Sequence, residues 1–584
     1  MARKPAPKVI PRWRYYLVML GLASLPILVT GKIAQLQVLP NEEHGVDFLQ
    51  SQGDVRAIRK EIIPAHRGLI TDRNGEPLAV STPVITLIAN PRYMQEKADE
   101  NDLVRLAAAV NISLGNLKTQ LNHYRNKSFM RLARQLPPAE AEAILSLGIP
   151  GISGQQEYKR FYPAGEVTAQ LVGITDIKDA GREGMELAYD SWLSGESGSK
   201  KVAKDRAGRV IKDISLIKPA SPGEALRLSI DLRVQYAAYR ALKASVQKHQ
   251  AKSGSVVVLD IETGEVLAMA NQPSFNPNDR SNIRSDVMRN RAMTDRMEPG
   301  STVKPFTLLA ALESGKFKPE SKINTSPGYF KVRNKTYVDP KDYGLLDLAG
   351  ILTKSSQVGT TKIALALDPN ETRELFARVG FGEPIGSGFP GEIAGDLPFH
   401  VKWPLVEQAA FSFGMALTVS SVQMARAYSI LANNGLRKEV SLLAIDEPPE
   451  TTRVVAADIV KDVRQMLQAA AGASGTGKRA MIDGYSVGGK TGTMHKVKAG
   501  GGFDDNRYRS VFAGFSPVDN PRLVTIVVID EPQNGTYFGG LVAAPVFSEV
   551  TGNALRLLQV TPDQLDVNRT VASLRQRQKK RGDS

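Results

Sequence analysis

"SGSVVVLDIETGEVLAMAN", Ser253 to Asn271, decides how this chain folds. Two apolar runs rich in β-branched residues flank Glu262-Thr263-Gly264, so the stretch reads as a β-hairpin. Upstream, the break at Pro222-Gly223 precedes "ALRLSIDLRVQYAAYRALKASV", a strand running into a helix. Downstream, "STVKPFTLLAALESG", Ser301 to Gly315, reads as a helix stopped by its glycine, and the chain is expected to be mostly helical to about Ala470. Three further strands follow: "YSVGGKTGT", "RSVFAGFSP" and "RLVTIVVID". Two strands, a helical middle and three strands let the terminal strands meet in one antiparallel sheet with helices packed on its faces, a multidomain α+β reading.

Before the hairpin, Pro40 to Pro222 reads as an irregular α+β module. It holds short strand-like runs such as "PVITLIANP" and a helix-like stretch from Asp102 to His123. Two glycine-containing signatures stand out, "RGLITDRNGEPLAVS" from Arg67 and "RFYPAGEVTAQLVGIT" from Arg160. In the first, Asn74-Gly75 is a hairpin-turn sequence. The C-terminal tail, with Arg575, Arg577, Lys579, Lys580 and Arg581, is expected to be disordered.

A chain of 584 residues, 42% of them hydrophobic, exceeds one ordinary core and implies at least two domains. Cysteine is absent, which excludes disulfides, thiolate nucleophiles and cysteine-bound zinc and suits an oxidising compartment. The six histidines (His44, His66, His123, His249, His400 and His495) never fall at i, i+4, which argues against a metal site. The formal charge of +15 is scattered and carries no aromatic-interleaved basic motif, so an anionic membrane or polymer is the preferred partner over nucleic acid.

From Tyr15 to Gly31, "YYLVMLGLASLPILVTG", no charge interrupts the chain, and Ile33 to Leu39 extends the apolar length. At about 1.5 Å per residue this can span a bilayer. Arg3, Lys4, Lys8, Arg12 and Arg14 lie upstream and place the N-terminus in the cytoplasm by the positive-inside rule. The stretch outruns a signal-peptide core and lacks a small-x-small cleavage site, so it reads as a retained anchor.

Ser301 stands three residues before Lys304 in "MEPGSTVKPF". Positions i and i+3 share a helical face, so the amine can reach the hydroxyl. Ser-x-x-Lys also occurs at Ser197, Ser215 and Ser245, which the sequence places in a glycine-serine loop, an extended stretch and a polar helix end. A serine hydroxyl needs a base, and a lysine base must be neutral, through burial or a second cation. Lys490 in "GGKTGT", on a strand hemmed by small residues, is the expected second cation. The bland alternative for Ser301 is an ordinary helix N-cap.

"STVK" at Ser301 to Lys304, "SSQ" at Ser355 to Gln357 and "KTGT" at Lys490 to Thr493 stand in the order and rough spacing of the active-site motifs of penicillin-binding proteins and serine β-lactamases. With "RGLITDRNGEPLA", "RFYPAGEV", "GREGMELAYD", "DRAGRVI", "EPGSTVKPF" and "YFGGLVAAPVF", the chain resembles class B penicillin-binding proteins, most closely the FtsI-type division transpeptidases, over nearly all its length after the anchor.

That resemblance implies a serine β-lactamase-like transpeptidase domain, a five-stranded antiparallel sheet flanked by helices, at 226–560. It also implies a non-catalytic pedestal of the penicillin-binding-protein dimerisation type at 40–225, a cytoplasmic tail at 1–14, an anchor at 15–38 and a basic tail at 561–584. The implied reaction is acyl transfer on the D-alanyl-D-alanine end of peptidoglycan stem peptides, without a cofactor. Ser301 would attack, Lys304 would take its proton, and Ser355 would relay a proton to the leaving amine. Lys490 and Thr491 would hold the terminal carboxylate, beside Gly492, and the N–H groups of Ser301 and Thr493 would form the oxyanion hole. β-Lactams would acylate Ser301. Implied partners are lipid-linked precursor, the inner membrane with the catalytic part in the periplasm, a polytopic glycan polymerase of the FtsW kind and other division proteins.

The second motif departs from the family's usual Ser-x-Asn, because Gln357 stands at its third place. Gln357 keeps the amide and displaces it by up to about 1.5 Å, which predicts altered substrate or β-lactam preference. An elongation-type transpeptidase, a β-lactamase, a D,D-carboxypeptidase and a non-catalytic scaffold are the alternatives. Two other motifs are set aside. "GYSVG", Gly484 to Gly488, lacks a spaced acid and histidine after Ser486, and "GASGTGKR" reads as a helix-ending turn instead of a phosphate loop.

Overall fold

The computed structural model describes residues 11–37, 58–205, 210–281, 283–447, 449–497 and 502–564. Most of the basic N-terminal tail and the arginine- and lysine-rich C-terminal tail lie outside the described residues. Helix α1, Arg12–Gln37, covers the apolar stretch and includes Pro26. Its large apolar side chains are exposed, among them Leu20 at 73% and Ile27 at 71%. A helix that shows hydrocarbon all round to solvent is built for lipid.

Residues after α1 form two compact units. The first comprises 58–66, 83–159 and 195–222. In it Ile58–Ile63, Gly198–Lys204 and Val210–Lys218 make a three-stranded antiparallel sheet. Leu87, Leu106, Leu117, Leu121 and Ile144 centre its apolar core. The expected helix from Asp102 to His123 is two helices, Glu100–Ala109 and Leu114–His123. Asn111 adopts a left-handed conformation at φ 54°, and Ser113 Oγ accepts from Asn116 N at 3.3 Å as the N-cap of the second helix. Asparagine tolerates that conformation and serine caps, so local chemistry ends one helix and starts the next.

The second unit comprises 67–82, 160–194 and 223–564 of the described chain. Both signatures from Arg67 and Arg160 therefore pack with the residues that follow Gly223. Arg67 Nε and Arg160 Nε donate to opposite oxygens of Glu186 at 2.5 and 2.6 Å, all three side chains being buried. Gly75, at φ 89°, turns the chain between Ile70–Thr71 and the strand from Pro77, as the Asn-Gly pair predicts.

Five strands dominate this unit: β1 Ser253–Asp260, β2 Val266–Gln272, β3 Gly488–Val497, β4 Phe503–Ser516 and β5 Leu523–Asp530. They are antiparallel in the order β2-β1-β5-β4-β3, as the strand pattern predicts. Every residue of β1 is buried. Alternation along a strand sorts side chains to opposite faces. Val257 and Leu259 enter a core with Phe306, Leu309 and Tyr428, while Val256 and Val258 enter a second with Leu242 and Phe547. Helices cover both faces, which is why the strands read as unbroken apolar runs. Helix α2, Leu232–Lys248, and the late helix Gly539–Leu557 supply the second core.

The middle is less uniformly helical than its sequence predicts. Three small ribbons interrupt it: 323–324 with 345–346, 329–332 with 335–338, and 436–438 with 451–453. The strand expected at "YSVGGKTGT" begins only at Gly488, and Ser486 is buried with its hydroxyl bonded to Asp563. Ser245 lies in the last turn of α2, as the sequence places it, but its side chain is buried there, at 8% exposure.

Candidate active site

Ser301 does not open an α-helix directly. Gly300–Val303 is a 3₁₀ turn, and helix α3, Lys304–Glu313, follows, with Gly315 at φ 69° just past its end. Gly300 has φ 57°, and a Cβ there would lie 2.2 Å from Met494 Sδ. The left-handed φ calls for glycine, and any Cβ would also force the Met494 side chain aside. The turn is braced from behind by Tyr428, whose hydroxyl donates to Thr302 O at 2.7 Å.

Edge strand β3 runs beside this turn. Lys490, Gly492 and Met494 share one face by strand alternation, and that face meets residues 299–304. A Cβ on Gly492 would lie 3.1 Å from Thr302 Cγ2 and 3.2 Å from Pro299 O. Thr491 takes the opposite face of the strand, its hydroxyl 2.9 Å from Thr476 Oγ1, yet that hydroxyl still accepts from Lys490 Nζ at 3.4 Å. Thr493 Oγ1 accepts from Gly539 N at 2.9 Å, tying β3 to the start of the last helix.

The third piece is the turn between helices α4, Leu348–Lys354, and α5, Gln357–Ala366. Ser355 caps α4 in the left-handed region at φ 56°, a conformation costing a serine about 1 kcal/mol or more. Its hydroxyl accepts from Lys490 Nζ at 2.9 Å and from Lys304 Nζ at 3.4 Å. Lys304 Nζ also donates to Ser355 O at 2.6 Å and Ser356 O at 3.1 Å. Three segments far apart in sequence thus converge on Ser355.

The sequence predicts a direct contact between Lys304 and the Ser301 hydroxyl. Instead, the described hydrogen bonds of the lysine all go to the Ser355–Ser356 turn, and Ser301 Oγ, partly exposed, has no hydrogen-bond partner among the described residues. The Ser301 N–H sits in a first helical turn, where amides lack an intrahelical acceptor. Gln357 is exposed at the N-terminus of α5, and its carboxamide bonds to no other described residue.

Both lysines are 0% exposed. Burial pulls Lys304 down to about 7, opposed by the Asp339 carboxylate. Lys490 is pushed well below its ordinary range by burial and then by the charge of Lys304. The sequence names Lys490 as the cation that keeps Lys304 neutral. In the structure burial is the larger cause at both, and the repulsion falls on Lys490, because both amines leave water to meet across one hydroxyl. The pair, more than Lys304 alone, gives up a proton.

Asp339 went unnoticed in the sequence. It follows the ribbon strand Lys335–Val338 and is 4% exposed. No spacing rule links an aspartate after a hairpin to a lysine at a helix start, so no local pattern could have found it.

With this geometry in hand, known proteins provide the comparison. The family "Penicillin binding protein transpeptidase domain" matches residues 254–552, and "Penicillin-binding Protein dimerisation domain" matches 62–228. The chain is 43% identical to the probable peptidoglycan D,D-transpeptidase PbpC of Pseudomonas aeruginosa, over 96% of this chain and 98% of that one. It is 40% identical to the peptidoglycan D,D-transpeptidase FtsI of Escherichia coli, over 95% and 93%. Among solved structures it resembles the transpeptidase domain of Burkholderia pseudomallei penicillin-binding protein 3, with a TM-score of 0.54 at 39% identity over 58% of this chain and 98% of that one. Penicillin-binding protein 3 of Mycobacterium tuberculosis, complexed with aztreonam, matches with a TM-score of 0.67 at 26% identity, over 86% and 98%.

Proposed function

This chain belongs to the penicillin-binding protein transpeptidase family, and from that premise we propose that it is a serine-type peptidoglycan D,D-transpeptidase working through an acyl-enzyme on Ser301. The observation that carries the residue assignment is the meeting of buried Lys304 and Lys490 at Ser355, beside the turn that presents Ser301. A lysine held near neutrality is competent to take a serine proton.

In this reading Ser301 Oγ attacks the penultimate carbonyl of a D-alanyl-D-alanine stem, and its proton passes to Lys304. The carbonyl oxygen, as it gains charge, is held by the N–H groups of Ser301 and Thr493, a contribution of about 100- to 1000-fold in rate. The tetrahedral intermediate collapses, D-alanine leaves with a proton relayed through Ser355, and an acceptor amine then displaces Ser301. Lys490, Thr491 and Gly492 line the carboxylate end, where Gly492 leaves room for the ligand. Gln357 offers its free amide to the acyl donor's backbone.

The same reading divides the chain functionally into an anchor at 15–38, a pedestal at 40–225 and a transpeptidase domain at 226–560, in line with the two family matches. In this reading the catalytic part is periplasmic and Arg12 and Arg14 lie on the cytoplasmic side, which the positive-inside rule supports. The reading extends to a septal role, supported by the relatives named FtsI, and to partners of the kind the family resemblance implies, a glycan polymerase of the FtsW kind and other division proteins.

The test is acylation by a fluorescent penicillin. Wild type is expected to label and to hold the label over minutes, whereas S301A is expected not to label. Labelling of S301A would overturn the assignment, and release within minutes would make the protein a hydrolase. Septal against lateral localisation of a fluorescent fusion checks the division role.

A further inference from the structure

We propose that Asp339 is a positioning residue of the transpeptidase site, one that clamps the Ser355–Gln357 turn and supplies the negative charge facing Lys304. The inference rests on the acyl-enzyme reading above and adds a group that the three motifs do not contain.

Asp339 Oδ1 accepts from Gln357 N at 2.6 Å and from Val358 N at 3.3 Å, and Oδ2 accepts the Ser356 hydroxyl. These amides belong to the first turn of α5, where a carboxylate satisfies orphan donors and suits the helix dipole. On the other side of the same turn, Lys304 Nζ grips the carbonyls of Ser355 at 2.6 Å and Ser356 at 3.1 Å. The turn is held through its donors by an anion and through its acceptors by a lysine. That double grip keeps Ser355 in its left-handed conformation and directs its hydroxyl to Lys490. It also fixes the backbone from which Gln357 projects.

The two charged groups that bear on Lys304 are Asp339, after the 335–338 strand, and Lys490, from the edge strand; the α4–α5 turn contributes only the Ser355 and Ser356 carbonyls. Asp339 raises the proton affinity of Lys304 against the effect of burial. Replacing the carboxylate by an amide of the same shape removes the charge while keeping an oxygen for the Gln357 and Val358 amides. The base then loses its proton more readily but is less well placed.

The experiment is the second-order rate of fluorescent-penicillin acylation across pH, on the full detergent-solubilised chain, for wild type, D339N and S356A. The rate rises with pH as the lysine pair deprotonates. D339N is expected to move that acidic limb to lower pH and to lower the plateau at least about tenfold. S356A, which loses one clamp but no charge, is expected to lower the plateau without moving the limb. A D339N limb that stays in place, or a D339N plateau equal to wild type, overturns the proposal. Labelling of wild type and its loss in S301A, run in the same series, keep the Ser301 reading separate from the outcome for D339N.

Discussion

Lys490 Nζ donates to Ser355 Oγ at 2.9 Å, and the same oxygen lies 3.4 Å from Lys304 Nζ. One hydroxyl therefore bridges two buried amines, and the chemistry of the site follows from how many protons that group of three holds.

The pH dependence of wild type follows from the lysine shifts. A lysine acting as a base works only when neutral, and Lys304 is lowered to about 7. Below that pH the amine is protonated and acylation slows; above it the rate levels off. Acylation by a fluorescent penicillin is expected to rise about tenfold per pH unit on the acid side and bend near neutrality. A profile flat through the neutral region would show that Lys304 is not the base.

Removing the bridge isolates the two amines. S355A is expected to lower the acylation rate by about 100-fold or more, the scale of a lost proton-transfer group, with the melting temperature unchanged or slightly lowered because both buried amines lose an acceptor. Rate and melting curves on the same sample check this.

Gln357 is expected to set preference more than rate. Q357N shortens the side chain by one methylene, so the ratio of acylation rates between two β-lactams of different side chain should change by about tenfold while both still label. An unchanged ratio would show that this amide does not contact the acyl donor.

Gly300 holds a left-handed backbone conformation against the Met494 side chain. G300A forces a non-glycine residue to φ 57° with its Cβ 2.2 Å from Met494 Sδ, and is expected to cost more than about 1 kcal/mol and to depress acylation by moving Ser301. Thermal melting and penicillin labelling report the two effects separately.

The ion network of Glu186 is expected to dominate the stability of the second unit. E186A leaves the buried guanidiniums of Arg67 and Arg160 without their shared carboxylate, a loss of about 3–5 kcal/mol. A melting temperature equal to wild type would contradict it.

The readings that the sequence supported best rest on local chemistry. The apolar runs of β1 and β5, the Asn74-Gly75 turn and the apolar stretch of α1 each signal through neighbouring residues, and each holds in the fold. Local rules misled where one residue outweighed the pattern: Asn111 and Ser113 split a continuous-looking helix, and Pro305, with no N–H to give Ser301 O an i→i+4 bond, leaves the first turn 3₁₀.

By itself the sequence determined which side chains are candidates for the chemistry, because Ser301, Lys304, Ser355 and Lys490 lie in short motifs of recognisable kind. Only the tertiary structure decided how they meet. Lys304 reaches for Ser355 instead of Ser301, burial more than a second charge neutralises the amines, and Asp339 arrives from a hairpin to hold the turn. Proton affinity and strain depend on what surrounds a group in space, and no periodicity along the chain records which distant segments will exclude water together.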